Sequence, residues 1–501
     1  MPVLTNGFRD KLYQAIEEMK EEIVSDTAHI LTYETISGGE TEEEKALFNK
    51  EITRCLSWLK EFTEKNDLQY RSLDGVVSVI DQPGESDEPG LGIPLHIDVV
   101  PVTGDWKYPP FSGTVADGII WGRGTQDDKG PLMACLFALK ALKKCGVTFK
   151  LPVHIIMGMG EEVGYWADVQ YFLEKETPPA FSFTPDAQFP IINGEKGIIN
   201  LKVNAKWEEA ESFNPIRLVS ISGGVRANVV PDRAEVILAA GNADSAMKTV
   251  KNELEAFCSL HEEVKYTGPE KEGDHIKVVF KGKSAHGSLP HEGHNAILDA
   301  ILFLSERDYA SKDCKNYLSF IHRTCAPPFG EGWNIAKEHH FVGKTTVNLG
   351  IFKADEKGGK AVINIRPTLG LPCKEVGETA KKIVRAEKEK SGLDVFVIED
   401  EVWGKEALFV DPEENKTFIS SLQTAYGEVT GYEPELMSIG GTTFAKAYPN
   451  CVTFGPFDPH VEKELAHMTD EHVKIEHQMR NVKIYAYSMA LLVTDAPTTE
   501  E

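Results

Sequence analysis

The chain has 501 residues, enough at roughly 100–200 residues per domain for two to four domains and several buried cores. With 53 Lys and Arg against 78 Asp and Glu the net charge is −25, and no basic run tracks a phosphate backbone, so neither nucleic acid nor an anionic membrane is an expected partner. Hydrophobic content of 41% with 26% charged residues marks a globular chain, and no stretch approaches the roughly 18 apolar residues of a membrane helix.

Phe8, Leu12, Ile16, Met19 and Ile23 recur at helical spacing and predict one first helix, after an opening MPVLTNG that lacks an export-signal pattern. Thr41 and Glu44 form a capping box ahead of a second, carrying Ala46, Leu47, Ile52, Leu56 and Leu59. Residues 91–100 read as a short buried strand and 153–159 as another, with a helix over 131–144 between them, opened by Gly130 and Pro131. Strand, helix, strand implies a sheet with crossover helices. From residue 197 alternating strands such as 229–240 appear, with amphipathic helices near 243–258, 293–305 and 374–390, the last mainly a solvated charged face. After Trp403 come a helix over 417–430, a glycine turn at 438–442 and a long final helix over 475–492. Residues 197–402 therefore read as an insertion into one α/β domain made of 1–196 and 403–501. Eight scattered cysteines with no CxxC pair fit reduced thiols in a cytoplasmic protein.

Side chains two apart on a strand share a face, so His96 and Asp98 point the same way, as suits a metal-bound imidazole oriented by an acid. GRGTQDDKG at 122–130 lies in a strand-to-helix turn, where sheet ligands gather, and leaves Asp127 and Asp128 adjacent. GMGEEVG at 158–164 ends the next strand with neighbouring Glu161 and Glu162; two buried carboxylates placed together are relieved by protonation or by a cation, and suit one metal ligand and one proton carrier. Asp186 follows Pro185 at the break of an apolar segment, and His467 precedes the last helix. His96, Asp127, Glu162, Asp186 and His467 thus offer two imidazoles and three carboxylates, a set suited to two divalent ions sharing a bridging carboxylate. The mixed nitrogen and oxygen set favours zinc, with manganese or cobalt as alternatives. His291 and His294 fall one residue short of a HExxH helix, and His339 and His340 lack acidic partners at ligand spacing, so these histidines read as ordinary surface or turn residues.

The ordered series HIDVVP, GRGTQDDKG, GMGEEVG, FTPDA, GKSAHGSLPHEGHNA and AHMTDE resembles the co-catalytic zinc metallopeptidase family of aminoacylase, carnosinase and succinyl-diaminopimelate desuccinylase. FTPDAQFPIINGEKG and the long insertion resemble most the peptidase V type dipeptidases within it. The resemblance spans about residues 70–490 and implies an α/β zinc-peptidase-like catalytic domain, a central mixed sheet flanked by helices, with an inserted, enlarged α+β lid domain. It makes His96, Asp127 and Asp186 ligands of one metal and Asp127, Glu162 and His467 ligands of the other, with a cis peptide between Asp127 and Asp128. It makes Glu161 the general base, Asp98 the acid bracing His96, and His286 of SAHGS an oxyanion-stabilising lid histidine. Asn228 matches a lid asparagine near the substrate, and Arg366 an arginine forking onto a substrate carboxylate, with Gly440 and Gly441 presenting amides to that end. The expected activity is hydrolysis of unblocked dipeptides, by a monomer with a dimer as the alternative. The rivals are an N-acyl amino acid deacylase and a catalytically dead amino-acid or peptide binder.

Overall fold

The computed structural model describes residues 2–164, 166–208, 215–398 and 403–500. The chain divides into two units, one made of Met1–Asn193, Val410–Met437 and Thr443–Glu501, the other of Gly194–Phe409 and Ser438–Thr442. The expected end of the insertion, residue 402, lies outside the described residues.

In the first unit a mixed sheet runs in the order Gln69–Leu73, Val77–Gln82, Val153–Gly158, Leu91–His96, Phe181–Thr184, Cys451–Thr453 and Ile191–Glu195. The three inner strands Val153–Gly158, Leu91–His96 and Phe181–Thr184 are mutually parallel. Every residue of Leu91–His96 is buried, as a parallel strand covered on both faces requires. Pairing of that strand with Phe181–Thr184 stops at Gly92, two residues before Pro94, whose ring carries no N–H to continue it. The two strands are thus unpaired towards their carboxyl ends, where ligand-binding residues collect in such sheets.

The crossover helix Lys129–Cys145 buries nearly its whole surface and packs against Ile475–Val493 and Asn6–Glu18. It ends at Gly146 in the left-handed conformation, a common helix stop. The capping box at Thr41 and Glu44 is present, with Thr41 Oγ1 accepting from the Glu44 amide and the Glu44 carboxylate accepting from the Thr41 amide, and opens Glu42–Lys65. The expected single first helix is instead two, Asn6–Glu18 and Lys20–Ile30. The Met19 amide bonds to the Ile16 carbonyl three residues back, a tighter closure that re-aims the chain while keeping Met19 buried. The strand expected to reach residue 100 ends at His96, and that expected from 229 begins at Arg233.

The second unit is built on an antiparallel sheet in the order Lys265–Glu272, His275–Lys281, Arg233–Ala240, Ile216–Gly223, Thr346–Asp355, Gly358–Arg366, Ile198–Lys206 and Asp394–Val397. Alternate residues of Ile198–Lys206 are buried, the period-two signature of a sheet with one covered face. Ala243–Leu260, Ala296–Ser305, Lys312–Cys325 and Cys373–Ser391 supply helical residues to its core, among them Phe257, Phe303, Tyr317 and Val376. The last of these buries a stripe of Val376, Ala380 and Val384 and exposes most of its charged residues, as read from the sequence. Among the described residues no helix is long and apolar enough to cross a membrane.

Candidate dinuclear metal centre

All five candidate ligands lie in the first unit, and the structure brings them together. His96 is fully buried at the end of its strand, and its Nδ1 lies 3.0 Å from the backbone carbonyl of Asp98. A carbonyl can only accept, so Nδ1 carries a proton and the ring turns its Nε2 towards Asp127 Oδ1, 2.8 Å away, and Asp186 Oδ1, 3.6 Å away. His96 Nε2, Asp127 Oδ1 and Glu162 Oε1 are buried without a hydrogen-bond partner. Lone pairs aimed at one another across such distances call for a cation between them.

The other oxygen of Asp127 serves the second imidazole. His467 Nε2 lies 3.0 Å from Asp127 Oδ2 and 3.1 Å from Glu162 Oε2. One carboxylate thus addresses both histidines, the geometry of a bridging ligand, and the Asp127–Asp128 peptide is cis. Asp186 is held by the Phe444 amide on its other oxygen at 3.1 Å. These donors fit a pair of divalent ions of borderline softness.

Asp98 orients His96 chiefly through its backbone; its carboxylate is farther away, with Oδ1 3.5 Å from Nδ1, and accepts the Glu161 amide on Oδ1 at 3.3 Å and the Glu162 amide on Oδ2 at 3.2 Å. One acid thereby fixes both the strand end that carries His96 and the turn that carries the paired glutamates. Asp128 was not singled out as a ligand, yet one of its oxygens lies within 4.8 Å of ligand atoms of His96 and Asp186. It is fully buried and accepts the His96 amide at 3.3 Å.

With only protein groups in the site, the electrostatics are those of crowded acids. Burial and the Asp186 charge push Glu161 well above the usual carboxylate range. Burial and Asp127 push Glu162 up to about 7. Hydrogen bonds that the ring donates to Asp127 and Glu162 raise His467 to about 11, and burial of His96 is outweighed by its three acidic neighbours, which raise it too. Burial opposes ionisation of Asp127, but the two imidazoles win and hold it far below its ordinary value.

Sequence reasoning missed the pair that fastens the ligand loops. Arg123 and Glu471 are 2% and 0% exposed and meet at 2.7 Å. Glu471 also accepts the amides of Gly124 and Gln126, at 3.1 and 2.8 Å, and Arg123 reaches the Met468 carbonyl at 3.2 Å. The loop bearing Asp127 is so tied to the loop bearing His467, whose backbone holds left-handed φ of 64° at His467 and 61° at Asp470. Gly124, at φ +94°, turns its amide to Glu471 in a conformation that a side chain would oppose.

The remaining candidates lie in the second unit. His286 is exposed and pairs across a single antiparallel bridge with Val229, next to Asn228, whose carbonyl accepts the Gly287 amide at 2.7 Å. Asn348 clamps this turn, donating to the carbonyls of Ala227 and Val229 at 2.9 and 3.0 Å. Arg366 is buried, with Nε on Asn364 Oδ1 and Nη1 on the Gly440 carbonyl, both at 2.9 Å. Desolvation lowers its pKa to about 10 and, with the Arg366 charge, lowers those of Lys196, to about 8, and His286. Gly440 is packed close to Ser288. An added Cβ there would lie 2.3 Å from Ser288 Oγ, so the position has no room for a side chain.

Residues 92–490 match the description of Peptidase family M20/M25/M40. The chain belongs to that family. This M20 chain is therefore a metallopeptidase. It is 30% identical over 471 residues to the putative dipeptidase YtjP of Bacillus subtilis strain 168, covering 94% of this chain and 97% of that one. Human carnosine dipeptidase 1 shares the M20 fold, with a TM-score of 0.57 at 13% identity over 97% of this chain and 98% of its own. The dipeptidase Dug1p of Saccharomyces cerevisiae does so with a TM-score of 0.55 at 12% identity, over 97% and 98%.

Proposed function

We propose that this M20 chain hydrolyses the peptide bond of unblocked dipeptides with a free carboxylate, using two divalent metal ions, zinc in the first place with manganese or cobalt as alternatives. The observation that carries the reading is Asp127, with one oxygen 2.8 Å from His96 and the other 3.0 Å from His467. The dipeptidase naming of the B. subtilis relative supports the substrate class.

His96, Asp127 and Asp186 would hold one ion, and Asp127, Glu162 and His467 the other. When bound, such a pair polarises a carbonyl and lowers the pKa of water from 15.7 to about 7. Glu161, whose carboxyl is displaced upward by burial and Asp186, accepts a proton from the attacking water and delivers it to the leaving nitrogen. Asp98 keeps that glutamate in place through the Glu161 amide. His286 donates to the developing oxyanion, and Arg366 offers its Nη edge to the substrate carboxylate, a planar fork that Lys cannot copy. Eight cysteines, scattered in sequence and with no CxxC pair, support a reducing, cytoplasmic setting, and the lid histidine carried in the same chain supports a monomer.

The test is a dipeptide panel assayed after chelation and single-metal add-back, with each dipeptide compared with its N-acetylated form. Faster turnover of free dipeptides supports the reading. Preference for the N-acetylated forms would instead make the chain a deacylase, and binding without turnover a peptide binder.

A further inference from the structure

Ser288 is 2% exposed, and its hydroxyl and its backbone amide are both directed at His286. Its Oγ lies 2.6 Å from His286 Nδ1, and its backbone amide donates to the same nitrogen at 3.4 Å. An amide N–H has no acceptor capacity, so the nitrogen it faces must offer a lone pair; the hydroxyl, free to rotate, then donates to it as well. A neutral imidazole with its Nδ1 lone pair so engaged carries its one proton on Nε2.

We propose that Ser288 is a positioning residue that holds His286 as the neutral, Nε2-protonated tautomer, ready to donate a hydrogen bond to the oxyanion without itself ionising. The inference rests on the proposed role of His286 in dipeptide hydrolysis and settles which form of the ring performs it. Placing a second proton on Nδ1 would set it against the Ser288 amide hydrogen. Partial desolvation of the ring and the Arg366 charge act in the same direction, lowering the pKa of His286. Ser288 is in turn fixed from two sides. Thr346 Oγ1 donates to its carbonyl at 3.1 Å, and its hydroxyl fills the space that a side chain at Gly440 would need, 2.3 Å from where a Cβ would lie. Since Gly440 also accepts from Arg366, the serine joins the histidine to the carboxylate-binding arginine through one short chain of contacts.

The experiment uses the full-length, metal-loaded protein labelled with 15N-histidine, with His286→Gln to assign one resonance pair among the 15 histidines. Above neutral pH, His286 is expected to show an unprotonated Nδ1 accepting hydrogen bonds and a protonated Nε2. Ser288→Ala should shift the Nδ1 resonance and lower kcat by about ten- to a hundredfold while KM stays within about threefold, the loss expected when an oxyanion donor is misplaced. Gly440→Ala, which crowds the hydroxyl from outside, should move the same resonance and keeps the test decisive if Ser288→Ala does not fold. A native His286 protonated on Nδ1, or a Ser288→Ala enzyme with unchanged Nδ1 resonance and kcat, overturns the inference. The spectra report the tautomer whether or not dipeptides are the substrate; loss of the dipeptidase reading would show separately, as a wild-type enzyme that turns none of them over.

Discussion

Arg123 and Glu471 form a 2.7 Å ion pair inside the first unit, and through it the loop that carries Asp127 is locked to the loop that carries His467. Removing one member of a buried pair leaves the other charged and unpaired, at a cost of about 3–5 kcal/mol. Glu471→Gln is expected to lower stability by an amount in that range and to weaken metal retention. Urea unfolding alongside metal analysis of the dialysed protein checks both; unchanged stability and metal content would mean that the pair does not fasten the ligand loops.

Glu161→Gln keeps the size of the side chain and removes its basicity. The expected outcome is a fall in kcat of about 10²- to 10⁴-fold, with metal content unchanged because Glu161 is not assigned as a ligand. Stopped-flow or long-time assays with metal analysis measure it. A variant that loses metal along with activity would assign Glu161 to the coordination sphere instead.

Arg366→Lys retains the charge and loses the fork. Hydrogen bonds to charged groups contribute about 1.5–3 kcal/mol, so kcat/KM for a dipeptide should fall by about ten- to a hundredfold. The corresponding dipeptide amide, which lacks the carboxylate, should be affected little. Equal losses on both substrates would remove Arg366 from carboxylate recognition.

Proton and metal compete for the same cluster. His467, raised to about 11, and Glu162, raised to about 7, bind protons that a metal must displace, so apparent metal affinity should fall as pH is lowered. For the chelated protein the sign is opposite. A histidine whose folded pKa lies above its ordinary 6.5 contributes stability that is fully present below that value and is lost as pH rises towards about 11. Chelator competition across pH and thermal unfolding of the chelated protein across alkaline pH measure the two effects.

Much of this was legible in the sequence because the informative signals were local. The Thr41 capping box, the apolar repeat of the helix after Pro131 and the paired acids after the strand at 153 each depend on residues a few positions apart, and the ordered motifs picked out the five side chains that the fold brings together. The relations that hold the ligands depend on long-range partners. Arg123 and Glu471 are 348 residues apart and look like any surface charges until the fold buries them. Likewise Asn348 clamps a turn 119–121 residues earlier. Lys312–Cys325 falls outside the expected helices although Cys314, Tyr317, Leu318, Ile321 and Cys325 recur at helical spacing on its buried side, because the residues between them are mostly polar or charged. The break at Met19 leaves the apolar repeat intact and so leaves no mark in the pattern.

The central claim is that Asp127 bridges two cations. Crystals grown with zinc and examined by anomalous scattering test it most directly: the account predicts two peaks, one among His96, Asp127 and Asp186 and one among Asp127, Glu162 and His467. A single peak that does not involve Asp127, or metal bound only elsewhere in the chain, would contradict it.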